Sequence, residues 1–370
     1  MTTAASENIV IVGAGLIGTA AALALCEKTT HVTLLETHLP DILTQSPKTS
    51  RPISLSFGSV RILQSLNVWS SLQSIACPIL SVHVSEAKKF GATHFSATQQ
   101  NVPALGFVVP FHLLQKALYE KVALTKNITI KSIQSIEHIK TDETGAALTI
   151  KTARGDEIIH THLLIAADGT HSTCRQLLKI KTIEKISGDV AKIFSLQLKE
   201  PHTHTAFERF TKRGVLAVLP LPDQYKAQLV WTTHEKNDDD LLSFLQNIFE
   251  GRLNIKNCQK IAEFPLKTII AEKQTLPSFL LLGNAAHTIY PVAAQGFNLG
   301  LRDVSVLRDY GLIDYEQRVQ QYQQTIYKIT SELIGLFELP LIGCVRGLGL
   351  LTTDLIKPLK NALGNKLMGV

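Results

Sequence analysis

The first residues whose types and spacing carry chemistry are Gly13, Ala14, Gly15, Leu16, Ile17 and Gly18, followed 18 positions later by Glu36. A GxGxxG run between a buried strand and a helix suits a dinucleotide. The first glycine permits a tight turn, the second lets a pyrophosphate approach the backbone, and the third lets helix and strand pack closely. Free N–H groups and the helix dipole attract the phosphates. Glu36 stands where a carboxylate accepts both hydroxyls of an adenosine ribose. A purely structural glycine turn is the alternative. The surrounding pattern predicts a strand over residues 8–12, an Ala/Leu-rich helix to about Lys28, and a strand over 31–35 ending on Glu36.

Two further turns follow predicted buried strands. Residues 163–167 run into Asp168 and Gly169, and residues 279–282 run into Gly283 and Asn284. Beyond the latter stand His287, Pro291, Gln295, Gly296, Phe297, Asn298 and Gly300. A nicotinamide dehydrogenase has no need for three such signatures spread over nearly the whole chain. An extended FAD does.

Other chemistry is thinner. His287 invites a general-base role, against the plainer one of satisfying a loop carbonyl. His202 and His204 lack carboxylate or cysteine neighbours in the chain and read as structural or surface residues. The five cysteines are scattered without a CxxC pair, which argues against a disulfide framework and a zinc site and for a reducing compartment. No nucleophile elbow, P-loop or metalloprotease helix is present. No catalytic acid or base and no metal ligand is therefore assigned.

The 370 residues suit two or three domains, or one large α/β domain with insertions. With 45% apolar and 18% charged residues the chain is globular. The net charge of +6 favours anionic surfaces, but no basic run interleaved with aromatics indicates nucleic acid. A mean hydropathy of +0.13 is high for a soluble protein and is what a membrane-surface enzyme would show. Residues 9–26 are apolar enough to imitate a membrane span, yet three glycines break any single helix there and no basic residue precedes them.

In its three ordered signatures the chain resembles the flavoprotein aromatic hydroxylases built like p-hydroxybenzoate hydroxylase. It is most similar to the ubiquinone-biosynthesis branch, and within that to the 2-polyprenyl-6-methoxyphenol hydroxylases. Supporting stretches are residues 51–59, 77–79, 82–86, 207–211, 216–221, 229–231, 283–303, 345–350 and 368–369. Ala294 departs from the branch, where Gly is usual, and the link from Asp303 to Asp314 is shorter.

The resemblance implies FAD as cofactor, NAD(P)H as co-substrate and dioxygen activation as a C4a-hydroperoxide that hydroxylates a polyprenylated methoxyphenol. It implies that Asp168 and Gly169 lie near the pyrophosphate, and that Gly283 and Asn284 meet the ribityl or phosphate region. Asn284 replaces an Asp found in many relatives and can donate as well as accept. Gln295, Gly296, Phe297 and Asn298 open a helix whose N–H groups face the flavin pyrimidine edge, with Pro291 just before them. Arg51 resembles an arginine that reaches the flavin or its phosphate; a solvated surface arginine is the alternative. Another flavoenzyme acting on an apolar substrate, or a non-catalytic FAD-binding subunit, remain alternative readings. The expected partners are the polyprenylphenol and other proteins of the ubiquinone-biosynthesis complex.

The expected fold is α/β: a Rossmann-like, glutathione-reductase-type FAD domain, an antiparallel-sheet substrate domain and C-terminal helices. The FAD domain is expected from residues 1–76, 100–178 and 268–310, with helices on both faces of its sheet. The substrate domain takes 77–99 and 179–267, with strands near 192–198, 205–210, 215–219 and 226–231. Residues 311–370 form the helical end, including a long helix over 314–339. Between Leu339 and Val370 a leucine recurs at every fourth position from Leu351 to Leu367, beside four basic residues and Asp354. That stripe is either a capping element or a basic amphipathic end; the latter gives a cytoplasmic enzyme bound peripherally to the inner face of a membrane.

Overall fold

The computed structural model describes residues 8–28, 31–39, 52–89, 91–289, 295–338, 364, 368 and 369. Arg51, Pro291, Ala294 and most of the basic C-terminal stripe lie outside them.

A six-stranded sheet carries the glycine fingerprint. Its order is Thr275–Leu276, Phe279–Leu281, Leu163–Ala166, Asn8–Val12, His31–Glu36 and Ile128–Ser132, all parallel except the first. Strand side chains alternate between faces, and here both faces are buried. Ile9, Ile11, Leu34 and Ile165 enter one core, with the helices Leu16–Leu25 and Phe111–Ala123. Val10, Val12, Leu35, Leu164 and Ala166 enter a second core. Near-continuous apolar strands are what a doubly covered parallel sheet requires.

The second face corrects the expectation of helices on both sides. It is covered by an antiparallel meander, Ser135–Asp142, Gly145–Thr152 and Gly155–Thr161, apart from the short helix Thr173–Leu177. Ala146, Leu148 and Ile150 point inward at period two, alternating with less buried neighbours. A strand period, not a helical one, therefore faces that core.

An eight-stranded sheet stands against this unit, in the order His287–Thr288, Ile255–Ala271, Thr182–Leu198, Lys226–Thr233, Gly214–Pro220, Thr205–Thr211, Ser81–Glu86 and Ala92–Ser96. It is antiparallel except where Thr205–Thr211 runs parallel to Ser81–Glu86. The four strands expected here are all present, and the 17-residue Ile255–Ala271 strand was not foreseen. That strand alternates poorly in sequence, with Lys256, Lys260, Glu263 and Lys267 along it. Leu241–Ile248 covers the outer face, burying Leu241, Leu245 and Ile248 against Phe207, Trp231 and Leu229. Val82, Ala206 and Leu219 face inward, onto Cys77, Ile79 and Val108.

Helix Gln295–Glu338 crosses behind the first sheet and is broken at Gly311, where φ is +72°. A single glycine in a region that L side chains avoid thus replaces the expected link before Asp314. Leu299, Leu301, Val304 and Leu307 are buried before the break; Leu301, Val304 and Leu307 pack in the first core.

Candidate functional site

The three signatures converge. Gly13 has φ +96°, and a Cβ there would lie 2.5 Å from the Ala167 carbonyl oxygen, so the first turn rests on the second. A Cβ on Gly18 would lie 1.8 Å from the Gly13 oxygen, which is the close packing that its position requires. At Gly300 a Cβ would come within 2.7 Å of Ile17 Cδ1 and 3.4 Å of Gly283 Cα, and at Gly283 within 3.1 Å of Ile17. Ile17, between two fingerprint glycines, is therefore the point where the first and third signatures touch.

Arg175 joins the second and third. It is buried, donating through Nη1 to the Ala285 carbonyl (2.7 Å) and through Nη2 to that of Thr170 (2.9 Å). Thr288 Oγ1 adds a bond to Thr170 Oγ1 at 3.0 Å. Tyr119 supports the first turn from below, its hydroxyl donating to the Ala14 carbonyl at 2.7 Å. Burial and Glu36 together push that phenol well above its ordinary range.

The same turns leave a cradle on their open side. A Cβ on Gly15 or on Gly169 would meet no atom within 4 Å, although both stand at the ends of the central strands. Asp168 accepts the Cys174 N–H through Oδ2 at 3.0 Å, while its Oδ1 is buried with no hydrogen-bond partner. Such an orphan acceptor is costly unless a ligand donor reaches it. Glu36 sits at the other end, accepting the Ala14 N–H (2.7 Å) through Oε2 and the His38 N–H (3.0 Å) through Oε1. Thr37 Oγ1 adds a long contact to Oε1 (3.4 Å); a carboxylate has about four acceptor sites, so Oε2 retains capacity for a ribose hydroxyl and the exposed Thr37 can yield Oε1 to another. Asn284 is exposed beside Gly283. These residues fit an extended dinucleotide with phosphates at Gly15.

Gln295 opens the long helix, as the sequence predicts. Asn298 uses its side chain otherwise: Oδ1 accepts the Ser56 N–H (2.9 Å) and Nδ2 donates to the Ser54 carbonyl (3.1 Å). It anchors strand Pro52–Ser56, directly after Arg51, to the helix start. Gly296 and Phe297 lie half-buried in that first turn.

His287 satisfies no loop carbonyl. It is fully buried, and its Nε2 meets Asp303 Oδ2, while Asp303 Oδ1 accepts from the Tyr322 hydroxyl and from Gln323 Nε2 (3.0 Å). Burial, then Asp303, raises the Tyr322 phenol far above its ordinary range. A carboxylate enclosed by three donors needs each of them. His202 is structural, its Nε2 2.8 Å from the Leu221 carbonyl. His204 has a cysteine partner the sequence did not reveal, Cys77 Sγ at 3.5 Å from Nδ1. Burial pushes the Cys77 thiol up to about 11, and burial followed by Asp168 raises Cys174, so neither is a nucleophile. Among the described residues no cluster suits a metal ion.

This fold and cradle define a flavoprotein of the FAD-dependent monooxygenase class. The chain matches the FAD binding domain family over residues 6–309 and belongs to it. It is 31% identical over 312 residues to the 3-demethoxyubiquinol 3-hydroxylase of Escherichia coli, covering 82% of this chain and 78% of that one. It is 25% identical to the ubiquinone hydroxylase UbiL of Rhodospirillum rubrum, over 98% of this chain and 89% of that protein. Among solved structures, p-nitrophenol 4-monooxygenase PnpA from Pseudomonas putida superposes with a TM-score of 0.75, 14% identity and 98% coverage of both chains. The Diels-Alderase PyrE3 shares the fold too, with a TM-score of 0.73 and 18% identity over 99% of this chain and 81% of that one.

Proposed function

We propose that the protein is an FAD-dependent hydroxylase of ubiquinone biosynthesis, acting on the ring of a polyprenylated phenol with NAD(P)H and dioxygen. The observation that carries this reading is the convergence of three signatures on one cradle, in a chain related along most of its length to hydroxylases of ubiquinone precursors. When bound, FAD supplies the redox chemistry and the activation of dioxygen. The chain's own residues bind and orient it. Gly13, Gly15 and Gly18 admit the pyrophosphate to the helix N-terminus, Glu36 holds the ribose, and Asp168 Oδ1 receives a donor from the ligand. Gly283 and Asn284 meet the central part of the cofactor, and the first turn of Gln295–Glu338 offers N–H groups to the reduced ring. Arg51 and Pro291 belong to the same proposed set.

The substrate reading rests on those relatives, with the eight-stranded sheet, held in place by Val82, Ala206 and Leu219 packing on Cys77, Ile79 and Val108, proposed to wall the substrate site and exclude water. No helix among the described residues is long and apolar enough to cross a membrane. Access to a bilayer-borne substrate is assigned to peripheral contact through the basic C-terminal end, and contact with other proteins of the pathway is part of the same proposal. Rapid-mixing reduction by NADPH tests the function. A prenylated phenol is expected to accelerate flavin reduction and to emerge hydroxylated; reduction indifferent to that phenol, with no hydroxylated product, refutes it.

A further inference from the structure

A cationic cluster lies outside the flavin cradle, on the outer face of the eight-stranded sheet. Arg209, in strand Thr205–Thr211, is only 6% exposed. It shares the face of Phe207, whose ring packs edge-on against Phe249 at 5.9 Å beneath the Leu241–Ile248 helix. Arg209 Nη1 donates to Ser85 Oγ at 2.7 Å, and that oxygen lies 3.3 Å from His83 Nδ1. The register sets Ser85 directly beside Arg209, and His83 between Phe207 and His94. Arg252, exposed just after the helix, completes the group.

Two observations show that the cluster lacks a counter-charge. The Nε of Arg209 is buried with no hydrogen-bond partner. The charged groups acting on Arg209 and His83 are cationic: burial lowers both, Arg252 lowers both further, and His94 and Arg209 add to the effect on His83, opposed there only by a backbone hydrogen bond. A guanidinium cannot discard its proton to relieve this. Buried charge persists where a partner satisfies it, and here, among the described residues, the guanidinium is met by one hydroxyl.

We propose that Arg209, Arg252, His83 and Ser85 form an oxyanion site that takes a phosphate group. Ser85 holds Nη1 and so fixes the guanidinium plane, leaving the Nε/Nη2 edge as the fork for a tetrahedral oxyanion. Arg252, exposed to solvent and near enough to act electrostatically on both Arg209 and His83, adds its charge to the same anion. The site lies on the sheet face opposite Val82 and Ala206, so its occupant is distinct from the flavin. A free phosphate and the headgroup of an anionic phospholipid present the same chemistry.

The test uses the full-length, FAD-loaded protein. Calorimetric titration with inorganic phosphate, against chloride of matched ionic strength, reads the free anion. Flotation with phosphatidylcholine vesicles, with and without phosphatidic acid, reads the headgroup. Arg252→Ala removes an exposed side chain, and Arg209→Lys keeps the charge while losing the fork. The expected result is binding in at least one arm, weakened at least tenfold in both variants. Phosphate binding without vesicle capture identifies the free anion, and capture only with phosphatidic acid identifies the lipid. Phosphate no better than chloride together with no capture, or affinities unchanged in both variants, overturns the site.

Discussion

Substitution at Gly15 separates ligand binding from folding in a way the other fingerprint glycines cannot. Gly15 has φ −70° and ψ −173°, a backbone that any L residue adopts, and a Cβ there touches nothing within 4 Å. Gly15→Val therefore costs the apo fold little beyond a poorer helix N-cap, about 1 kcal/mol. Gly18→Ala drives a methyl to 1.8 Å from the Gly13 carbonyl, and an immovable backbone contact of that kind costs about 3 kcal/mol or more, at the upper end of overpacking. For FAD the order reverses. The valine methyls stand where the pyrophosphate must approach, removing charge-assisted hydrogen bonds worth about 1.5–3 kcal/mol and the attraction of the helix terminus, about 1 kcal/mol. The sum, about 2.5–4 kcal/mol, is a dissociation constant raised ~60- to ~700-fold, since each 1.4 kcal/mol is tenfold. Thermal melts of apo protein and fluorescence titration with FAD measure the two effects. An apo Gly15→Val protein that melts as low as Gly18→Ala, or one that still binds FAD stoichiometrically, refutes the reasoning.

Acid precipitation is expected to release all the flavin into the supernatant, because Cys174, the buried thiol beside Asp168, is held protonated; yellow protein in the pellet contradicts this. Asp303→Asn is expected to cost about 1–3 kcal/mol in denaturant unfolding, the usual penalty for leaving a buried donor unsatisfied, and a loss under about 0.5 kcal/mol removes the structural weight given to the His287 network. Burial holds His202 below its ordinary 6.5. Its contribution is therefore complete above that pH and lost as pH falls through the lower folded value, so His202→Gln should flatten the decline of melting temperature between about pH 7 and 5. A variant as acid-sensitive as the parent excludes His202 as the cause.

The parallel sheet was legible because its strands are short apolar runs that end in glycine turns. Residues 8–12 carry that signal in full and 31–36 end instead on the acid Glu36, and the structure has Asn8–Val12 and His31–Glu36. The meander at 135–161 was not, because its exposed face is as charged as a loop: Glu137, His138 and Lys140 alternate with Ile136 and Ile139. Within the site, glycines announced themselves by spacing, while the residues that bind the signatures together did not. Arg175 stands seven places after Asp168, yet nothing in one chain shows that its guanidinium spans to Ala285, 110 residues away. Asp303 reads as a solvated helix acid until the fold closes Tyr322 and Gln323 over it. Cys77 and His204 are likewise separated by 127 residues and meet through a cross-sheet contact.

Those cross-links decide what distinguishes this chain among proteins of one fold. A Diels-Alderase shares the architecture, so architecture alone does not select oxygen chemistry. Here His287 belongs to two systems at once. Its backbone forms the edge of the eight-stranded sheet, paired with Ile270, and its ring holds Asp303 on the helix that starts beside the cradle. The near edge of the sheet proposed to wall the substrate site and the helix proposed to face the flavin are thereby fixed to each other through one buried pair. Displacement of the sheet edge would be felt at Asp303, four residues beyond Leu299 and in the same helix as Gln295. His287→Gln should therefore change substrate-stimulated flavin reduction more than FAD affinity, measured by rapid mixing and by titration on the same preparation. Equal loss in both assays would make His287 a support of the fold alone, with no part in relating the substrate wall to the flavin.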